Sequence, residues 1–318
     1  MTKDLKFDII IVGAGVSGLI LANELLSRTN KKVLIIEKRK AFSYDKNLCF
    51  WSKPKNLVTD LAKNKWDKIA FYSNGKKKIL ISEKIEYLRI NSKTFYNFFI
   101  HRFKRNKNVS LEMNCSLKNL KYLANEVIIE TTKGTYKSDI VFDSSLSKED
   151  LKNIKLFQHF KGIEIKTRKP VFKKNEVILM DIRDKKDVFN FVYLLPFSKN
   201  RALVESTYFS PEILDNEIYL QDIKEYIFEK FKITNFDCKY EEFGIIPMGK
   251  IIHNDLKNVF KIGIAGNWNR LSTGYSLQNA FAYSKQLVDQ LLDNKTPKIK
   301  EEYLLNFLDN IFCNFVLT

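Results

Sequence analysis

At 318 residues, 45% of them hydrophobic, the chain can bury one large core or two smaller ones, and no run of eighteen apolar residues suggests a membrane-spanning helix. The four cysteines are dispersed and the three histidines have no ligand spacing, so neither a metal site nor a Cys-x-x-Cys redox motif is expected, and a reducing, cytoplasmic compartment is. The net charge of +17 rests on scattered lysines, with only nine Arg among 54 basic residues and no basic helix, which argues against a nucleic-acid partner and leaves loose attraction to anionic lipid open.

Met1 to Lys6 lead straight into the first strand, with no leader expected. Ile9 to Val12 is a β-branched run that reads as a buried strand. Gly13, Gly15 and Gly18 follow as G-x-G-x-x-G and open a helix from about Val16 to Ser27. The first glycine permits the tight turn, the second admits a pyrophosphate to the backbone, and the third lets the helix pack on the sheet. The helix N-terminus then faces the phosphates. Lys32 to Ile36 is the second strand and Glu37, nineteen residues after Gly18, is placed to accept hydrogen bonds from an adenosine ribose. The complete fingerprint predicts a dinucleotide site without separating FAD from NAD.

Lys38 to Trp51 reads as a loop. Ile69–Tyr72 and Lys78–Ile81 form a predicted hairpin about Ser73-Asn74-Gly75. Ser92 to Phe103 is an amphipathic helix with Ser92 as its N-cap, and Val109–Asn114, Val127–Thr132 and Ile140–Asp143 are strands. Residues 1–154 thus read as the first part of a Rossmann-like unit carrying an inserted hairpin. Phe160–Lys166, Val177–Asp181, Phe189–Pro196 and Arg201–Tyr208 have no long helix among them and predict an antiparallel sheet domain over 155–250, with a helix at Tyr219–Phe231. A strand at Val259–Ala265 ending in Gly266 and a helix at Thr273–Leu292 return the chain, over 251–318, to the dinucleotide domain. The fold class expected is α/β: a Rossmann-like dinucleotide-binding domain with an inserted, mostly antiparallel β-sheet substrate domain.

Several segments, in this order from about residue 7 to residue 290, resemble the lycopene cyclase family, flavoproteins of the hydroxybenzoate-hydroxylase-like fold. Asp45-Lys-Asn-Leu-Cys-Phe-Trp51 resembles the family's Asp-Arg-Thr-Trp-Cys-Phe-Trp, with Lys46 and Asn47 in place of Arg and Thr. Tyr87-Leu-Arg89-Ile-Asn-Ser92-Lys-Thr-Phe-Tyr96, Gln158-His-Phe-Lys-Gly162, Leu179-Met-Asp181 and Phe191-Val-Tyr-Leu-Leu-Pro196-Phe are similar to further family blocks. So are Arg201-Ala-Leu-Val-Glu205-Ser-Thr207, Ile246-Pro247-Met248 and Ser272-Thr-Gly274-Tyr-Ser276. Two blocks depart from the pattern. Phe142-Asp143-Ser-Ser lacks the family's Ala-Arg-Gly or Ala-Arg-Pro, and Asn267-Trp-Asn-Arg-Leu271 stands where the family has His or Lys with Pro.

The resemblance implies a redox-neutral closure of lycopene ends to β-ionone rings, with reduced FAD required but not consumed and NAD(P)H as external reductant. Protonating an alkene demands a strong acid away from water, and a carboxyl buried among hydrocarbon keeps its proton at neutral pH. Glu205, in the apolar run Arg201–Thr207, is the expected catalytic acid, although an outward Glu205 paired with Arg201 or a lysine fits the strand pattern equally well. Phe189, Phe191, Tyr193, Phe197 and Tyr208 are candidate walls for a carbocation, or ordinary sheet core. Besides Gly13, Gly15, Gly18 and Glu37, the flavin contacts implied are Arg89, Asp143, Gly266, Thr273, Gly274 and Tyr275. A carotenoid substrate implies a peripheral position on the inner face of the cytoplasmic membrane. The apolar tail Leu304–Leu317 is expected to pack on the chain's own core or to dock on lipid or a partner. A monooxygenase or prenyl reductase on the same fold, or a non-catalytic lipid-associated protein, are the other readings.

Overall fold

The computed structural model describes residues 5–186, 188–300 and 303–317; residues 1–4, expected to lead into the first strand, lie outside it. The chain begins β1 (Leu5–Val12), α1 (Val16–Arg28), β2 (Val33–Glu37), β3 (Asn47–Trp51) and β4 (Asn64–Trp66). It continues β5 (Lys68–Ser73), β6 (Lys76–Ile81), β7 (Tyr87–Asn91), α2 (Ser92–Phe103), β8 (Val109–Met113) and β9 (Leu117–Leu123). Next come β10 (Glu126–Thr131), β11 (Gly134–Asp143), β12 (Phe157–Lys166), β13 (Glu176–Arg183), β14 (Phe189–Ser198) and β15 (Arg201–Ser210). Then follow α3 (Asn216–Phe231), β16 (Asp237–Pro247), β17 (Val259–Lys261), α4 (Leu277–Leu292) and α5 (Tyr303–Leu317). The chain divides into two units, one of residues 1–44, 92–153 and 250–307, the other of 45–91, 154–249 and 308–318.

The first unit holds a sheet ordered β8-β2-β1-β11-β10-β9. The strands β8, β2, β1, β11 and β17 run parallel, and β9 and β10 add an antiparallel meander. The ten-residue β11 changes neighbour along its length, pairing β10 with its first half and β17 with its last three residues. A parallel sheet is covered on both faces, which is why Val33-Leu-Ile-Ile-Glu37 is buried at every position. From α1, Leu19, Leu21 and Leu25 are fully buried.

The second unit carries a sheet ordered β16-β12-β15-β14-β13-β5-β6 and a small one, β3-β7-β4. All its pairs are antiparallel except β5 with β13. Ile223, Tyr226 and Ile227 of α3 pack on Ile163, Ile165, Val192, Leu194 and Val204, which fixes the face those strand residues share. Side chains alternate along a strand, so Gly162, Tyr193, Leu203 and Glu205 belong to the opposite face.

Four local expectations are corrected. The hairpin turns at Asn74 and Gly75, both with positive φ (48° and 72°), as Asn-Gly requires. Its strands, however, extend the second unit's sheet through β5–β13, so 45–91 separates from the nucleotide-binding segments with which the sequence grouped it. The expected loop 38–51 contains β3, paired along its length with β7. Where a strand was predicted to Ala265, the chain leaves β17 at Lys261 and curls through Gly263 (φ +64°), with Trp268 N–H donating to Gly263 O (2.9 Å). Finally, α4 begins at Leu277 rather than Thr273, because Gly274 (φ +72°) turns back and its N–H donates to Arg270 O (2.8 Å). Among the described residues no helix is long and apolar enough to cross a membrane.

Candidate active site

In the first unit, the β1–α1 turn forms the cradle that the glycine spacing predicts. Gly13 has φ +96°, and a β-carbon there would lie 2.2 Å from Ser144 Oγ. A β-carbon at Gly18 would lie 2.0 Å from Gly13 O, so the helix can approach the turn only without a side chain at Gly18. At Gly15 a β-carbon would meet nothing within 4 Å. Two glycines are thus required by packing, and the third faces open space of the kind a pyrophosphate needs.

Glu37 is buried at the end of β2. Ala14 N–H donates to its Oε2 (2.8 Å), Arg39 N–H to its Oε1 (2.9 Å), and the Arg39 guanidinium to Oε2 (3.0 Å). Burial pushes its carboxyl up, but the bonds and charge of Arg39, with the Ala14 N–H, outweigh burial and hold it below the usual carboxylate range. Arg39 also lies over the rings of Tyr96 (4.8 Å) and Phe42 (5.0 Å). Three of the four lone-pair sites of an ionised carboxylate are filled, which leaves one for a ribose hydroxyl.

The other residues expected at a flavin are distributed through this unit. Asp143, buried at the end of β11, takes an ion pair from Lys261 Nζ (2.9 Å) and the Ser145 N–H (2.8 Å). Gly263 comes against Ser17 of α1, a β-carbon there lying 3.0 Å from Ser17 Oγ. Gly266 closes the same turn, with a β-carbon 2.4 Å from Lys261 O. Thr273, Gly274 and Tyr275 form the turn before α4, where Arg270 N–H donates to Tyr275 O (2.9 Å).

Arg89 belongs to the second unit. It lies on β7, where its Nε donates to Asn47 Oδ1 (2.6 Å) and its Nη1 to Asn64 Oδ1 (3.1 Å). Its guanidinium stacks 4.3 Å from the centre of the Phe197 ring. The same cluster holds two buried carboxyl groups, Glu205 of β15 and Glu242 of β16. Asn47 donates twice to Glu242, from its backbone N–H to Oε2 (2.8 Å) and from its side-chain amide to Oε1 (2.9 Å), and Tyr240 OH donates to Oε2 (3.1 Å). Glu205 has Thr207 OH as donor to its Oε1 (2.8 Å). Burial, and then the charge of Glu242, push the Glu205 carboxyl up to about 8. Burial raises Glu242 as well, against the opposing bonds of Asn47 and Tyr240 and the charge of Arg89. The surroundings of Glu205 thus favour its neutral carboxyl. Glu205 does not point outward: it is buried, and Arg201, its suggested partner, pairs with Glu164 (2.5 Å).

Aromatic rings continue from Glu205 along the same sheet face. Tyr193 lies beside it in the β14–β15 register, and its hydroxyl meets that of Tyr87 at 2.8 Å. Phe189, Phe191 and Phe209 follow, and Phe312 of α5 closes on them, its ring centre 5.6 Å from that of Phe209. Tyr208, expected in this wall, faces the other way. It is one residue beyond Thr207 on a strand, and its hydroxyl donates to Asp222 of α3 (2.5 Å). Phe209 takes the place assigned to it.

The family model described as lycopene cyclase protein matches residues 8–304. This chain belongs to the lycopene cyclase family.

Several solved structures share the fold of this lycopene cyclase family member. A geranylgeranyl bacteriochlorophyll reductase-like protein of Thermoplasma acidophilum superposes with a TM-score of 0.70 at 13% identity, over 98% of this chain and 84% of that one. The p-nitrophenol 4-monooxygenase PnpA of Pseudomonas putida DLL-E4 gives 0.69 at 12% identity, covering 98% and 94%. A probable FAD-dependent monooxygenase of Pseudomonas aeruginosa gives 0.66 at 13% identity, also covering 98% and 94%. Among curated proteins, UDP-galactopyranose mutase of Mycoplasma genitalium is 65% identical over 34 residues, 11% of this chain. The match spans 8% of the mutase's length, too short a stretch to bear on activity.

Five of the family blocks contribute second-unit residues to the cluster around Glu205 and Glu242: Asn47 and Cys49 from the Cys-Phe-Trp block, Tyr87 and Arg89, Gly162, Tyr193 and Thr207, whereas Ser272–Ser276 belongs to the first unit. Sequence reasoning missed Glu242, Asn47 and Gly162. A glycine inside an apolar strand marks a close approach, and that signal was available at Gly162.

Proposed function

We propose that this protein is an FAD-dependent lycopene cyclase that closes β-ionone rings on a linear carotenoid. The observation that carries the reading is the burial of the Glu205 carboxyl at one end of an aromatic sheet face, where burial favours its neutral form, in a chain whose family model covers 8–304. The glycine cradle, with open space at Gly15 and an acceptor at Glu37, supports FAD as the cofactor. Gly13, Gly15, Gly18 and Glu37 would hold FAD, which when reduced, with NAD(P)H as the proposed electron source, would supply negative charge to stabilise a cation.

The chain's own residues account for the proton chemistry. Glu205 gives its carboxyl proton to the terminal alkene of the substrate, and the electron pair of that bond forms the new C–H bond. The tertiary cation left behind is attacked by the next double bond, which closes the ring. Phe189, Phe191, Tyr193 and Phe209 exclude water, which would trap the cation as an alcohol, and their faces stabilise positive charge. A proton then passes from the ring to a base and Glu205 regains one, so no atom or electron is gained overall.

Expression in lycopene-accumulating bacteria should convert red lycopene to γ- or β-carotene, separable by chromatography. Unchanged lycopene beside a folded, flavin-loaded protein would sink this reading. The likeness in fold to a monooxygenase and a reductase-like protein keeps flavin-dependent oxidation or reduction as the second reading. Sustained NAD(P)H consumption coupled to substrate turnover would favour it, since cyclisation consumes no reductant.

We further propose a peripheral position on the inner face of the cytoplasmic membrane. The support is α5, where Tyr303 (80%), Phe315 (72%), Leu304 (71%) and Phe307 (61%) expose large apolar side chains, alongside a net charge of +17. The protein should float with anionic vesicles in a density gradient, and Leu304→Glu with Phe315→Glu should cut the bound fraction at least about tenfold, at about 1 kcal/mol or more per lost side chain. Equal flotation of the double variant would remove α5 as the contact.

A further inference from the structure

Glu205, Gly162 and Glu242 stand in one row across three strands. Glu205 of β15 is the register partner of Gly162 on β12, and Gly162 is the partner of Glu242 on β16. Adjacent strands lie about 4.8 Å apart, so the two glutamates start about 10 Å apart at the backbone. A side chain at the middle position would stand between them. A β-carbon on Gly162 would already lie 3.2 Å from Glu242 Cγ and 3.3 Å from Glu242 Oε1. The glycine therefore opens a gap through which two buried carboxyl groups act on one another. Two like charges this close in a dry site are not both retained, and one proton stays with the pair.

The surroundings decide which partner keeps it. Hydrogen bonds donated to a carboxylate favour its ionised form. Glu242 receives two from Asn47 and one from Tyr240, and the Arg89 charge, held by Asn47 and Asn64, acts on it too. Among the described residues Glu205 has a single donor, Thr207. The charge belongs on Glu242 and the proton on Glu205.

We propose that Glu242 is a positioning residue for the acid: a fixed anion, anchored by Asn47 and Arg89 and facing Glu205 across the gap at Gly162, that keeps the proton on Glu205. The inference rests on the reading of Glu205 as the acid. The other titratable groups around the pair do not replace Glu242 as a source of negative charge. Burial drives the Cys49 thiol of β3 up, which keeps it neutral. Tyr87 of β7 and Tyr193 of β14 join hydroxyls, Tyr240 of β16 donates to Glu242 itself, and Glu164 of β12 is neutralised by Arg201 of β15. Arg89 is the cation of the cluster, and it acts through Glu242 and Asn47.

The test follows the protonated carboxyl of Glu205 directly, by infrared difference spectroscopy on the full-length, flavin-loaded protein with ¹³C-labelled glutamate. The band is assigned by its loss in Glu205→Gln. In the unsubstituted protein it should persist to about pH 8. In Glu242→Gln it should titrate roughly one pH unit or more lower, because a charge has been removed and not a shape. The alkaline limb of the ring-closure profile should move by the same amount, and Glu242→Asp, which keeps the charge, should restore both. Should Glu242→Gln fail to fold, Asn47→Ala serves, since loss of its side-chain donor to Glu242, and of the Oδ1 that holds Arg89, should draw the proton toward Glu242. Unchanged titration of Glu205 in a folded Glu242→Gln or Asn47→Ala protein overturns the proposal. A shifted band without any ring closure by the unsubstituted protein would uphold the carboxyl pair and defeat the cyclase reading instead.

Discussion

Glu205→Gln should lower ring closure by about 10²–10⁴-fold, the range expected when a positioned proton donor is removed, while flavin retention and fold survive. The amide has nearly the shape of a neutral carboxylic acid, and Thr207 OH can donate to its carbonyl as it does to the carboxyl. The variant should also change the pH dependence of stability with a definite sign. The folded-state pKa of Glu205, about 8, lies above its ordinary value of 4.5, so the folded chain holds the proton more tightly than the unfolded chain. That contribution to stability is complete below pH 4.5 and is lost as pH rises toward 8. Thermal melts should therefore show the unsubstituted protein weakening over that interval, and Glu205→Gln weakening less. Parallel melting curves from pH 5 to 9 would mean that Glu205 is ionised in the folded protein, and the acid role would fall with it. Turnover should likewise decline as pH rises through about 8, where the acid loses its proton.

The cradle and the acid differ in how far apart their parts lie along the chain. The dinucleotide fingerprint is local: strand, glycine turn, helix and acid fall within 5–37, and each glycine's demand follows from a single turn. Its elements appear where the sequence pattern puts them. The acid site is assembled by register. Asn47 and Glu242 are 195 residues apart and meet because β3 and β16 belong to the same unit, a pairing that no local pattern encodes. Glu205 stood out as an acid in an apolar strand, but the strand pattern alone fitted an outward carboxylate equally well, and only the resemblance singled it out. Glu242 did not stand out, because Glu241-Glu242 lies in a strand whose exposed residues make a surface carboxylate the ordinary expectation. Tyr208 shows the same limit at the scale of one residue. Strand composition shows a run of aromatics, but only the anchoring of β15 on α3 tells which alternate members face Glu205. The 73–75 turn is a third case: its residues fix the hairpin, while its place in the second unit's sheet depends on β13, about a hundred residues later.

Gly15→Ala and Gly18→Ala should separate what the cradle does for the fold from what it does for the cofactor. Gly18 touches the chain itself. Its β-carbon would lie 2.0 Å from Gly13 O and 3.3 Å from Ile11 Cγ2, so α1 must retreat from the β1 turn. Overpacking of this kind costs about 1–3 kcal/mol, and the flavin-free protein should melt several degrees lower. Gly15 has an ordinary backbone for alanine (φ −79°, ψ −167°) and no neighbour within 4 Å of a β-carbon. Alanine there stiffens the unfolded chain, worth about 0.4–1 kcal/mol, and is a poorer N-cap than glycine by a comparable amount. The two effects nearly cancel, so the flavin-free melting temperature should hardly move. FAD affinity, read by titration of the flavin-stripped protein, should nevertheless fall about a hundredfold or more, because the new methyl group occupies the approach a pyrophosphate must use to reach the backbone N–H groups. Were Gly15→Ala to bind FAD as tightly as the unsubstituted protein, the open space at this turn would be incidental, and the dinucleotide would have to bind elsewhere. An equal loss of stability in both variants would mean instead that Gly15, like Gly18, is required by packing.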